Sequence, residues 1–132
     1  MTKFTHTACF AHFGTKPRNV QWSWSARNED TKTVVVTLWQ DEFKRLDNRL
    51  VYERGPAWVE GVRRRPGHTE LMENLRWAID HCDGYLKVIV AIAKDKNAIP
   101  RSISECFPSK IQLRVARLNE TTGEFALEST TI

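Results

Sequence analysis

The sequence has little cysteine, little glycine and no long apolar run, and each shortage excludes a class of protein. Its longest apolar block, 88–93, has the length of a strand, whereas a membrane-spanning helix needs about 20 apolar residues. Six glycines and five prolines exclude a collagen-like or low-complexity chain. The N-terminal residues include no apolar segment of the secretory type, so we expect no secretion signal. Three widely spaced cysteines, Cys9, Cys82 and Cys106, predict reduced thiols in a cytoplasmic protein.

What is present is the composition of an ordinary globular domain. The chain has 132 residues, of which 41% are hydrophobic and 27% are charged, and this excludes intrinsic disorder. A chain of this length can bury a core of its own without metals or disulfides. We therefore expect a single domain over 1–132, with an irregular basic arm at 53–67.

Hydrophobic periodicity predicts strands towards both ends of the chain. Apolar and polar residues alternate over 20–27, as in a half-buried strand, and 33–39 is almost entirely apolar and β-branched. These two segments predict one hairpin, and 111–118 with 124–129 predict another. The segment 41–54 fits either a helix or a short strand, and both interpretations stay open.

The middle of the chain predicts helices around a buried strand. Apolar residues recur at helical spacing over 69–82, and Gly84 is placed to end that helix. The apolar run 85–93 predicts a central strand, and a short helix is expected over 101–106, after Pro100. This order predicts an α+β fold with a mixed, mainly antiparallel curled sheet, one main helix and one short helix. Closure of the sheet into a barrel is left open.

The net charge of +4 is concentrated in one segment of the sequence. Between Lys44 and Arg65 there are seven basic and three acidic residues, and seven minus three equals the whole excess. A local basic excess attracts polyanions, chiefly nucleic acid, with an affinity that falls as the salt concentration rises. The alternative is a solvated basic surface that serves solubility alone.

Tryptophan is abundant, and three of the five tryptophans lie on the first predicted hairpin. Trp22 and Trp24 share a face by the two-residue period of a strand, and Trp39 lies on the partner strand. Indole rings stack on nucleobases, and each stack contributes about 1–3 kcal/mol. The alternative is that these rings fill a core, which is the commoner role of tryptophan.

The charge and the tryptophans together predict a non-catalytic nucleic-acid-binding module with an aromatic pocket. Polar side chains beside the rings would contact the edge of a base, and guanidinium groups would hold the phosphates. The predicted nucleic-acid-binding residues are Arg18, Trp22, Trp24, Ser25, Arg27, Trp39, Asp41, Arg63, Arg64 and Arg65. DNA and RNA are both open as partners, no cofactor, metal or membrane is expected, and a homodimer is compatible with the sequence.

Two other functions are compatible with the same residues. Residue types that hold Mg²⁺ in nucleases follow two of the predicted strands, namely Asp41, Glu42, Lys44 and Asp95. Trp77 projects away from the apolar stripe of its helix and, with Trp58 of the arm, would suit a protein-interaction subunit of a larger complex. Other enzyme classes have no motif here, because phosphate-binding loops, nucleophile elbows and zinc-ligand spacings are missing from the sequence.

Overall fold

A single seven-stranded sheet with a helix on each face forms the centre of the computed structural model, which describes residues 5–19, 23–54, 66–95, 97 and 102–129. The helices are α1 (His6–His12) and α2 (Pro66–His81), and a short 3-10 helix spans Gln40–Glu42. The strands are β1 (Ser25–Asn28), β2 (Thr33–Trp39), β3 (Lys44–Leu46), β4 (Arg49–Arg54), β5 (Tyr85–Ala93), β6 (Ile103–Asn119) and β7 (Glu124–Ser129). The predicted α+β class, with one long and one short helix, is confirmed.

The strand order is β1-β2-β5-β6-β7-β4-β3, so the chain fills the sheet from both edges towards the middle. After β2 it forms the β3–β4 hairpin at the far edge, and α2 then precedes β5, which lies parallel to β2. All other neighbouring strands are antiparallel. Because β1 and β3 are separate edges, the sheet is open and is not closed into a barrel.

The larger hydrophobic core lies between α2 and the sheet. Leu75 and Ala78 of α2 are fully buried, and they belong to one cluster with Val36, Val88 and Leu113 from three neighbouring strands. These strand residues alternate along the chain with residues of the opposite face, as the pleat of a strand requires. The helical stripe predicted over 69–82 therefore packs on the sheet as expected.

The second core lies on the opposite face, under α1. Cys9 and Phe10 of that helix pack against Val35, Ile89 and Cys106. The helix begins at a capping residue, because the hydroxyl of Thr5 accepts a hydrogen bond of 3.0 Å from the N–H of Ala8. Since β2 and β5 lie between two helices, their apolar runs serve both cores.

Two tight turns fix the ends of the main elements. Asp47 and Asn48 have φ angles of 48° and 64°, as in the type I′ turns that join two-residue hairpins, and they connect β3 to β4. At the end of α2, Asp83 and Gly84 also have positive φ, and the N–H of Gly84 donates to the carbonyl of Ala78 at 2.8 Å. The structure thus confirms a helix end at Gly84.

One predicted element is wrong. The short helix expected over 101–106 is absent from the described part of that segment, where β6 begins at Ile103 and pairs Cys106 with Ala91. Pairing with β5 and burial under α1 outweigh the local signal, as tertiary contacts commonly do for short segments. The short helix of the structure is α1, in a region without a clear period, and 41–54 forms the 3-10 helix and the β3–β4 hairpin.

Candidate functional site

The two described tryptophans of the first hairpin lie together, under α1. The ring centroids of Trp24 and Trp39 are 5.3 Å apart, and His6 of α1 adds a third ring 6.0 Å from Trp24. Trp39 is only 7% exposed, whereas Trp24 is partly buried. These contacts attach α1 to the sheet. They agree with the alternative role for this pair, in which the two rings fill a core. Trp22 lies outside the described residues.

Ser25 and Arg27 lie on the other face of the sheet, against α2. The hydroxyl of Ser25 is fully buried and accepts a hydrogen bond of 2.8 Å from the side-chain amide of Asn74. Arg27 forms a two-pronged ion pair with Glu29, with both N–O distances 2.9 Å, and its guanidinium lies 5.3 Å from the ring centroid of Trp77. The alternation of β1 therefore separates these residues from the tryptophan pair.

Arg18 joins Ser25 and Arg27 on the α2 side. Its Nε lies 3.4 Å from Oε2 of Glu70 and its Nη1 lies 3.6 Å from Glu73, so it bridges two carboxylates of one helix. The predicted phosphate-binding residues Arg63, Arg64 and Arg65 lie outside the described residues, as does Trp58. The structure thus brings together Arg18, Ser25 and Arg27, away from the aromatic cluster.

Asp41, which the sequence predicts to contact the edge of a base, is exposed in the 3-10 helix that follows β2. Its neighbour Glu42 accepts a hydrogen bond of 3.3 Å from the hydroxyl of Tyr52 and pairs with Arg54 at 3.2 Å. Burial raises the pKa of Tyr52 to about 12, so this hydroxyl remains a donor at neutral pH. Glu42 therefore serves a structural network between the 3-10 helix and β4.

A cleft lies where β1, α2 and the loop after α1 meet. Its volume is about 280 Å³, and its walls are mostly polar, formed by Lys16, Arg18, Arg27, Glu29, Glu70 and Asn74 with Ala26 as the one apolar residue. Glu70 is 4% exposed, and its Oε1 has no hydrogen-bond partner among the described residues. The cleft thus holds a buried hydrogen-bond acceptor, and its lining also includes three cations, Lys16, Arg18 and Arg27.

The second polar surface is the part of the sheet that α1 does not reach, here called the open sheet face. Directly paired residues point to the same side of a sheet. One such row runs across five strands, from Tyr85 to Arg114, Glu128, Val51 and Lys44. The alternate residues Leu86, Leu113, Leu127 and Tyr52 face α2, so the row faces the other way.

The open sheet face is basic. By the same pairing it includes five cations and three carboxylates, a net charge of five minus three, or +2: Lys44, Arg49, Lys87, Arg114 and Arg117 against Glu53, Glu124 and Glu128. The guanidinium of Arg114 lies 5.6 Å from the ring centroid of Tyr85, which is 36% exposed. Arg49 and Glu128 form an ion pair of 3.4 Å.

Sequence reasoning missed this surface, although part of the signal was present. Lys87 lies two residues after Tyr85, and Arg114 two residues after Gln112, so each strand has a polar side over part of its length. Lys44 and Arg49 belong to the basic segment that the charge count singled out. The strand order and register that bring these residues side by side could not be predicted, because they depend on pairing between segments distant in sequence.

No helix in the described ranges is long and apolar enough to cross a bilayer. Within the same part of the chain, no three histidine, cysteine or carboxylate side chains converge as a metal site would require. No family model, no curated protein and no solved structure matches the chain, so the two polar surfaces are interpreted from geometry alone.

Proposed function

We propose that this chain is a non-catalytic nucleic-acid-binding module and that the open sheet face is its binding surface. The observation that carries the proposal is the net charge of +2 on a face that has an exposed tyrosine ring at one end. Such a surface attracts a polyanion and offers a base something to stack on. Sheets with exposed aromatic rings serve single-stranded RNA in this way.

The dimensions of the face suit a short stretch of a single strand. Neighbouring strands are about 4.8 Å apart, so the row from Tyr85 to Lys44 spans about 19 Å. A strand of a stacked duplex advances about 3.4 Å per nucleotide and an unstacked single strand is more extended, so that length corresponds to no more than about five nucleotides. Arg114 and Lys44 would contact phosphates, while Tyr85 would stack on a base at one end of the row.

A titration with a labelled homopolymer tests the proposal. Arg114→Ala is expected to weaken binding of 15-nucleotide dT and rU strands and to reduce the slope of log Kd against log salt by about one. Tyr85→Ala removes a stack worth about 1–3 kcal/mol, and affinity should fall about tenfold. Fluorescence anisotropy at several salt concentrations measures both effects.

Arg76 provides the matched control, because it is a half-exposed arginine on α2, paired with Glu120. Arg76→Ala changes the net charge by the same amount as Arg114→Ala but lies on the other side of the sheet. Affinity and salt slope should stay close to those of the unmodified protein. Equal losses in the two variants would mean that only net charge matters, and the assignment to the open sheet face would be wrong.

The residues predicted from the sequence enter the proposal in two groups. Arg18 and Arg27 would be a second basic region near α2, while Arg63, Arg64 and Arg65 stay predictions from the sequence. The aromatic pocket of Trp22, Trp24 and Trp39 stays a prediction from the sequence. The same holds for the contacts of Ser25 and Asp41 with the edge of a bound base. If Trp24→Ala lowered homopolymer affinity as much as Tyr85→Ala, the binding surface would extend beyond the open sheet face into the part of the same face that α1 covers.

A cytoplasmic setting is part of the same proposal. Cys9, Cys82 and Cys106 form no disulfide, and the thiol of Cys9 donates a hydrogen bond of 3.5 Å to Sγ of Cys106. Burial, with the neighbouring Cys106, raises the pKa of Cys9 to about 12, so its thiol stays protonated and unreactive at neutral pH. Reduced, buried thiols suit a reducing compartment.

A further inference from the structure

The cleft beside β1 contains a nearly buried carboxylate, that of Glu70, with one oxygen that has no hydrogen-bond partner among the described residues. Glu70 is 4% exposed, and its Oε2 is 3.4 Å from Nε of Arg18, a long contact for a charged pair. Its Oε1 has no hydrogen-bond partner among the described residues. An ionised carboxylate only accepts hydrogen bonds, and leaving a buried acceptor unpaired is costly. The cleft therefore favours a ligand that presents N–H groups to Glu70.

The other polar groups around Glu70 are already engaged with each other. Asn74 donates to Ser25 at 2.8 Å and accepts from Arg27 at 3.4 Å, and Arg27 holds Glu29. These contacts fix the wall of the cleft rather than satisfy Glu70. Because the wall is held by its own hydrogen bonds, a ligand would meet a preformed site.

The rim of the cleft has two exposed cations beside the exposed carboxylate of Glu29. Lys16 and Arg18 come from the loop after α1, and both are exposed. Arg18 is shared with Glu70 and Glu73, whereas no ion pair is recorded for Lys16 within the described parts of the chain. A ligand that fits this cleft thus combines an N–H donor edge with an anionic group.

From these contacts we infer that the cleft binds a guanine nucleotide, with the Watson–Crick edge of the base on Glu70 and the phosphate near Lys16. Guanine alone among the common bases presents two adjacent donors on that edge, its ring N1–H and its amino group. Adenine and cytosine offer one amino group beside an acceptor nitrogen, which a carboxylate repels. The volume of about 280 Å³ suits a base and its sugar rather than a larger ligand.

This site is separate from the open sheet face. The cleft lies at the β1 edge of the sheet, whereas the open sheet face extends from β5 to the opposite edge at β3. The inference therefore does not depend on the proposed function, and the two can fail independently. The guanine could belong to a free nucleotide or to a base of a single strand, since both present the same edge.

Calorimetric titration with GMP, IMP, AMP, CMP and UMP tests the inference. GMP should bind most tightly, and IMP, which lacks only the amino group, should bind about tenfold more weakly. In Glu70→Gln, which replaces an acceptor by a donor, the preference for GMP over IMP should disappear. Equal binding of the five nucleotides, or no binding of any at millimolar concentration, would overturn the inference, provided that the strand experiment described below also shows no gain.

Glu73→Gln is the matched control, since Glu73 is also a glutamate of α2 that pairs with Arg18 but is half-exposed. It should keep the preference for GMP over IMP. If Glu70→Gln kept that preference too, Glu70 would not contact the base. If Glu70→Gln failed to fold, the comparison of GMP with IMP in the unmodified protein would still decide whether an amino group is recognised.

A second experiment distinguishes the two sources of guanine. A 15-nucleotide dT strand with one central dG is compared with dT alone, in the unmodified protein and in Arg114→Ala. A gain from dG without GMP binding assigns the cleft to a base within a strand, and GMP binding without that gain assigns it to a free nucleotide. Loss of dT binding in Arg114→Ala with GMP binding intact separates the open sheet face from the cleft.

Discussion

Strand β5 begins on the open half of the sheet and continues under α1, in the covered half. Side chains on the same face of the strand are exposed in the first part and buried in the second. Tyr85 and Lys87 are exposed, whereas Ile89 and Ala91, which follow on the same face, are fully buried under α1. The strand pairs with β6 from Tyr85 to Ala93, with register shifts between Lys87 and Ile89 and between Ile92 and Ala93, and with β2 over 87–91. What covers the strand, and not its propensity, thus decides where the apolar side chains are needed.

The same difference separates structural from binding roles. In the covered half, aromatic rings such as Trp24 and Trp39 contact each other and α1. In the open half, Tyr85 contacts a guanidinium group and solvent. An aromatic ring on a strand is more accessible to a ligand where no described helix lies above it, and a count of tryptophans does not contain that information.

The largest expected effect tests this contrast within one strand. Ile89→Ala removes a fully buried side chain from the core under α1, and the free energy of unfolding should fall by about 2–5 kcal/mol. Lys87→Ala, on the same face but exposed, should change it by no more than about 0.5 kcal/mol. Urea denaturation measures both. Similar losses at the two positions would mean that the open half is packed as well as the covered half.

A smaller effect is expected at the turn that joins α2 to the open half. Gly84 has a φ of +82°, and an added Cβ would lie 3.2 Å from Cγ of Arg114. Gly84→Ala should therefore lower the free energy of unfolding by about 1–2 kcal/mol through its backbone conformation. It should also displace Arg114 and weaken homopolymer binding, as anisotropy would show.

Gly14 is the control for that substitution, because its φ is +75° but an added Cβ would have no heavy atom within 4 Å. Gly14→Ala should thus cost a similar amount of stability without any change in nucleic-acid affinity. If the two variants lost affinity equally, the effect would come from general destabilisation and not from Arg114.

Much of the fold was predictable because its signals are local. The bounds of β5 follow from an apolar run, and the end of α2 follows from a glycine at a helix end. The exposure of Tyr85 and Lys87, which begin the same apolar run, was not predictable, since it depends on how far α1 reaches over the sheet. How far a covering helix reaches depends on contacts distant in sequence, which periodicity does not contain.

The candidate sites were less predictable for the same reason. The row from Tyr85 to Lys44 requires the register of five strands drawn from distant parts of the chain. The cleft requires the packing of α2 against β1, which buries Glu70, a residue that has an ordinary helical position in the sequence. Arg18 and Arg27 were identified by charge, but only this packing brings them to one place.

The smallest expected effect concerns the pH dependence of the covered half. Burial lowers the pKa of His6 below its ordinary value of 6.5, and its Nε2 lies 2.7 Å from the hydroxyl of Thr37. The unfolded chain therefore binds this proton more tightly than the folded one. The contribution of neutral His6 is complete above about pH 6.5 and declines as the pH falls from there to the lower pKa of the folded state.

His6→Gln should remove this part of the pH dependence, so its unfolding midpoint in urea should change less than that of the unmodified protein between about pH 7.5 and about pH 5.5. His12→Gln, at the exposed end of the same helix, is the control and should keep the original dependence. An unchanged dependence in His6→Gln would show that α1 does not hold His6 against the sheet in solution. The covered half would then be smaller, and the tryptophan pair would become available to a ligand after all.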